Sequence, residues 1–122
     1  MANMTPKQSN TDCVFCKIIT GEIPSKIVYR DKDVVVFPDI NPVAPVHLLV
    51  VSVKHIKSLA TMADADAPLA GKMVRAANKV AREQGLSEKG YRLTINCGAD
   101  AGQLVPHLHI HLMGGRALKW EN

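Results

Sequence analysis

Three histidines stand on alternate residues in His107-Leu108-His109-Ile110-His111, followed by Leu112-Met113 and Gly114-Gly115. Successive strand side chains point to opposite faces, so this spacing predicts a row of imidazoles backed by Leu108, Ile110 and Leu112 in a core. Imidazole is accessible in charged and neutral forms near neutral pH, which suits it to attack phosphorus or to move protons. His109, at the centre of the row, is the candidate nucleophile. A neutral ring attacks through one nitrogen when the other donates to a carbonyl, expected here from the turn at 98–102. His107 and His111 flank it, where cationic or hydrogen-bonding forms would hold the non-bridging oxygens of a phosphate as charge builds. His47, on a second apolar segment, is a fourth candidate for this group.

Asn96 and Gln103 lie at either end of the turn that delivers the histidine row, where their amides can bind a phosphate or a bridging atom. Turn chemistry alone also accounts for both. Asp39 follows an apolar segment and opens a loop; a carboxylate there suits a vicinal diol such as ribose, and an Asx turn equally well. Cys13-x-x-Cys16 follows no strand, which disfavours a thioredoxin-type redox pair. Two thiolates at this spacing can share a tetrahedral ion if two further ligands are found, and His55 and His107 are the available imidazoles. The other reading is a pair of unligated thiols. Cys97 reads as a small buried hydrophobe. Gly71-Lys72 lacks the rest of a phosphate-binding P-loop, and neither Gly-x-Gly-x-x-Gly nor Gly-x-Ser-x-Gly occurs.

A small domain must position these groups. The 122 residues suit one domain over 12–122, preceded by a flexible polar tail over 1–11. Hydrophobic residues make up 47% and charged residues 21%, as in an ordinary globular protein. The net charge of +4 comes from scattered Lys and Arg, which argues for attraction of anionic metabolites and against a nucleic-acid groove. No segment reads as a signal peptide or a membrane span, and an odd count of three cysteines argues against a disulfide framework. The expected location is the cytoplasm.

A short helix is expected over 13–20, ended by Gly21, and a hairpin over 26–30 and 34–37. Residues 39–45 read as a loop. A central strand is expected over 46–53, with His47, Leu49, Val51 and Val53 on one face and Val46, Leu48 and Val50 on the other. Asp64 or Asp66 is placed to cap a helix with Pro68 in its first turn, running through Leu69, Met73, Ala76, Ala77 and Val80 to Gly85. Strands over 91–97 and 107–113 complete an α+β fold on a five-stranded antiparallel sheet.

The run from His107 to Met113 resembles the His-φ-His-φ-His-φ-φ signature (φ apolar) of the histidine-triad, or HIT, superfamily of nucleotide hydrolases and transferases. Phe15-x-x-Ile18-Ile19-x-Gly21-Glu22-Ile23-Pro24, Phe37-x-Asp39-Ile40-x-Pro42-x-Ala44-Pro45-x-His47, Gly90-Tyr91-Arg92, Asn96, Gly102-Gln103 and Gly114-Gly115-Arg116 through Trp120 are similar to its HINT-type branch. The resemblance implies a homodimer in which two sheets join into one of ten strands. It also implies hydrolysis of purine nucleoside phosphoramidates, such as those of adenosine 5'-monophosphate, through a covalent nucleotidyl-His109. His107, His111 and His47 would then orient or stabilise, Asn96 and Gln103 would contact the phosphate region, and Asp39 would hold the ribose. Val14, Phe15, Ile18, Phe37 and Ile40 would form the base pocket, and the segment near Trp120 would reach the partner's site. The Cys pair resembles that of a zinc-containing subset, with ligands at Cys13, Cys16, His55 and His107; no cofactor is needed for the chemistry. Leu104 stands where the family commonly has Ser, and Pro106 where it commonly has an aromatic residue. A dinucleoside polyphosphate hydrolase and a non-catalytic purine-nucleotide-binding module are the alternative readings.

Overall fold

Strings of β-branched and aliphatic residues dictate the sheet. In the computed structural model, which describes residues 12–120, it has five antiparallel strands: β1 Tyr29–Arg30, β2 Val34–Pro38, β3 Val46–Ser52, β4 Tyr91–Thr94 and β5 His109–Gly114. Their order across the sheet is β1-β2-β3-β5-β4, which puts the apolar β3 between β2 and the histidine strand β5. The expected tail over 1–11 lies outside the described residues.

The two faces have separate cores. Helix α1 (Val14–Thr20) lies on one, with Phe15 and Cys16 packed against Val35, Phe37, Leu49 and Val51. Helix α2 (Ala67–Glu83) lies on the other, where Met73, Ala77 and Val80 meet Val36, Val50, Ile110 and Leu112. Each fully buried aliphatic there contributes roughly 1.5–3 kcal/mol of transfer free energy. The β3–β5 register pairs Leu49 with His111 and Val51 with His109, and residues directly opposite share a face. His109 and His111 therefore emerge beneath α1, as the alternation predicts. Among the described residues, no helix is long and apolar enough to cross a membrane.

Element ends depart from the sequence expectations for local reasons. β1 starts at Tyr29 rather than 26, because its register would set Ile27 opposite Pro38, which has no N–H to donate. β5 starts at His109 rather than 107: the Leu108 N–H is taken by the Ile56 carbonyl and the His107 N–H by that of Val105. β4 stops at Thr94 rather than 97, so Cys97 lies beyond the strand and is half-buried rather than buried. Pro68 is in the first turn of α2 as expected. Asp66 sits at its N-cap position, but its carboxylate pairs with Lys54 at 2.8 Å instead of capping.

Candidate active site

The tautomer of each histidine follows from its partners. The His109 Nδ1 lies 2.6 Å from the carbonyl oxygen of His107. A carbonyl only accepts, so Nδ1 carries the proton and Nε2 keeps the lone pair. The orienting carbonyl thus belongs to the histidine two residues earlier, not to the turn at 98–102. Burial lowers the affinity of His109 for a proton, outweighing the opposing effects of that hydrogen bond and of Asp39. The ring is neutral and basic at Nε2, as a nucleophile requires.

A second chain of bonds reaches His111. The Val43 N–H donates to His47 Nδ1 at 3.1 Å, so the proton of His47 must sit on Nε2. That atom is 2.9 Å from His111 Nδ1 and 3.3 Å from Asp39 Oδ2. His111 accepts at Nδ1 and carries its own proton on Nε2. Burial, then His109 and His47, hold His111 down at about 4, so it serves as a neutral donor rather than the cation allowed by the sequence. His47 is likewise lowered by burial. Asp39 does two jobs: Oδ1 accepts the Asn41 N–H in an Asx turn, which turns Oδ2 toward the two histidines.

On the other side of His109 the wiring is reversed. The buried His107 ring donates from Nε2 to the Ser52 carbonyl at 2.7 Å, leaving the Nδ1 lone pair free. Around that lone pair stand Cys13 Sγ at 3.2 Å, Cys16 Sγ at 3.6 Å and His55 Nδ1 at 3.2 Å, with Cys16 Sγ 3.3 Å from His55. Tetrahedral zinc, with Zn–S of about 2.3 Å and Zn–N of about 2.05 Å, needs ligand separations of roughly 3.3–3.8 Å. The four side chains fit a metal. Both thiols are buried, Cys13 is the N-cap of α1, and the Cys16 N–H donates to Cys13 Sγ.

Between α1 and the histidine face opens a cavity of about 560 Å³. Val14, Phe15, Ile18, Phe37, Asp39, Ile40, His109 and His111 all line it. Phe15 stands edge-on to both Phe37 and His109, which fixes one wall. The volume is that of a small-molecule site, apolar with a few convergent polar groups.

The family model described as "Scavenger mRNA decapping enzyme C-term binding" matches residues 12–119. The protein HitA of Neisseria gonorrhoeae is 48% identical over 103 residues, covering 84% of this chain and 95% of HitA. The chain belongs to the histidine-triad family. Among solved members, a HIT family hydrolase from Clostridium thermocellum superposes with a TM-score of 0.89 at 48% identity, covering 91% of this chain and 96% of that one. A zinc-bound histidine triad family protein from Mycobacterium smegmatis reaches 0.75 at 31% identity over 86% and 76% of the two chains.

Within this histidine-triad frame two expected phosphate contacts are turned elsewhere. Asn96 Nδ2 donates to the Ala101 carbonyl at 2.8 Å. Gln103 accepts the Gly98 N–H and donates to the carbonyls of Lys57 and Val105. Both amides brace the turn that carries Gly102 and Leu104 to the cavity, and they reach a phosphate only by exchanging these bonds. Leu104 lines the mouth with 91% of its surface exposed. Ser25 and Lys26 also line the cavity, and no pattern marks them in the sequence, where 26 reads as the start of a strand. The Ser52 and Val43 backbone groups that set the tautomers are equally silent there, because any residue type supplies them.

Proposed function

We propose that this chain cleaves the P–N bond of purine nucleoside 5'-phosphoramidates, adenosine 5'-monophosphate derivatives among them, through a covalent nucleotidyl-His109. The observation that carries the reading is the 2.6 Å bond from His109 Nδ1 to the His107 carbonyl on a neutral, cavity-lining ring. Nε2 attacks the α-phosphorus as the P–N bond breaks, and the amine leaves after taking a proton at the open mouth, since Leu104 offers none. His111 donates from Nε2 to a non-bridging oxygen, which gains charge in the transition state. Water then attacks the phosphorus, releases the nucleotide and restores the ring. The apolar wall of Val14, Phe15, Ile18, Phe37 and Ile40 takes the base, Asp39 the ribose hydroxyls, and Asn96 and Gln103 the phosphate side.

Zinc is the ion that the two thiols and two imidazoles suit; four protein ligands leave no open position, so it would serve structure and not chemistry. Bound by these four residues, it would hold His107 and so steady the carbonyl on which His109 depends. Cysteines that form no disulfide among the described residues suit the reducing cytoplasm. A homodimer through the open edge of β4 is supported by Val74 and Ile95, which stand exposed at 40% and 38%. Trp120, 93% exposed, is available to reach a partner's cavity.

The test is steady-state turnover of an adenosine 5'-phosphoramidate. His109→Ala is expected to lose at least roughly a thousandfold in kcat while still binding adenosine monophosphate. A wild-type chain that binds the nucleotide and turns nothing over would leave the binding-module reading, which the donor-free Leu104 favours.

A further inference from the structure

The chain leaving β5 passes unusually close to the loop between β2 and β3. Gly115 adopts φ +98°, and a Cβ there would stand 2.8 Å from Pro45 Cβ. That approach needs glycine. It lets the next residue, Arg116, reach across: Nη2 donates to the Val43 carbonyl at 2.7 Å and Nη1 to the Ala117 carbonyl at 2.9 Å. Charged donors make the stronger hydrogen bonds.

Val43 is the residue whose N–H donates to His47 Nδ1. Its side chain is 53% exposed, so packing does little to fix its backbone. The loop is tied at its start by the Asp39 Asx turn and, four residues on, by Arg116. Released from Arg116, the Val43 backbone can turn and withdraw its N–H. His47 is then free to move its proton to Nδ1, and His111 Nδ1 loses its donor. Nothing then requires the His111 proton to stay on Nε2, the nitrogen across the ring.

We infer that Arg116 is a positioning residue for the reaction: by holding the Val43 carbonyl it aims the Val43 N–H at His47 and fixes which nitrogen of His111 carries a proton. The inference rests on the proposed role of His111 at the phosphate. The Arg116 hydrogen bonds go to neither His47 nor His111, and the carbonyl that it holds lies 73 residues away in sequence.

The test combines nitrogen-15 NMR of the histidine rings with kinetics, on the full chain as wild type, Arg116→Ala and Arg116→Lys. Arg116 is exposed, so both variants are expected to fold. In wild type, His47 and His111 should both be protonated at Nε2. Arg116→Ala should shift a measurable share of each ring to the Nδ1-protonated form and lower kcat roughly 10- to 100-fold, less than the roughly 100- to 10,000-fold of a group that itself transfers the proton, with KM nearly unchanged. Arg116→Lys, which keeps one donor, should recover most of both. Unchanged ring tautomers in Arg116→Ala would overturn the inference, as would altered tautomers with unaltered kcat or a lysine variant no better than alanine. The ring spectra need no substrate, so an error about the phosphoramidate would show as inactive wild type with the tautomer effect intact.

Discussion

Two clusters of nearly the same chemistry flank His109 and are wired in opposite senses. Cys13, Cys16, His55 and His107 gather on one side, Asp39, His47 and His111 on the other, and in each the potential ligand atoms lie within 4.8 Å of one another. In the first, the Ser52 carbonyl draws the His107 proton to Nε2 and leaves a lone pair facing two thiols. In the second, the Val43 N–H occupies the His47 lone pair and leaves a proton between the two rings. A metal needs the lone pair; a relay needs the proton. One backbone group per cluster decides which chemistry the side chains can do, and His109 draws on both, taking its carbonyl from His107 and standing beside His111.

The largest break in this contrast should come from the thiols. Cys13→Ser with Cys16→Ser is expected to abolish zinc binding and lower Tm by about 10 °C or more, since binding energy at a structural metal is folding energy. Metal analysis and thermal unfolding check it. His47→Asn should do the reverse, keeping one zinc per chain while kcat falls roughly 10- to 100-fold as His111 Nδ1 loses the donor that keeps its proton on Nε2. If that variant lost its zinc instead, the two clusters would not be separate.

Gly115→Ala sharpens the second cluster from outside it. A side chain at φ +98° and 2.8 Å from Pro45 should cost about 2 kcal/mol or more in denaturant unfolding, with zinc content unchanged. Acidification gives the smallest effect. His47 and His111 are lowered when folded, His111 to about 4, so the unfolded rings take up protons first. Their contribution is fully present above the unfolded value of about 6.5 and is lost as pH falls toward 4. Urea unfolding from pH 7 to 4 should show a shallower decline in His111→Asn than in wild type.

The alternation at His107–His111 made the histidine face legible because a period of two is a local property of a strand. The apolar doubling of Leu48 to Val51 marked its neighbour for the same reason. Cys-x-x-Cys with His55 and His107 was legible as a ligand set but not as a geometry, which waits on β3 and β5 lying side by side. What stayed hidden was carried by backbone: the His107 carbonyl in place of the turn at 98–102, the Ser52 carbonyl and the Val43 N–H. Asn96 and Gln103 look the same in sequence whether they face a phosphate or brace a turn. Arg116 was visible only as part of a resemblance, because its partner depends on Gly115 passing against Pro45.

The role of His109 as a neutral nucleophile between these clusters is tested most directly by intact-protein mass spectrometry after rapid, acid-free mixing with an adenosine 5'-phosphoramidate. That role predicts a transient adduct of one nucleotidyl group, located on His109, that forms and decays at rates compatible with turnover. Turnover without an adduct, or an adduct that persists in His109→Ala, would contradict it.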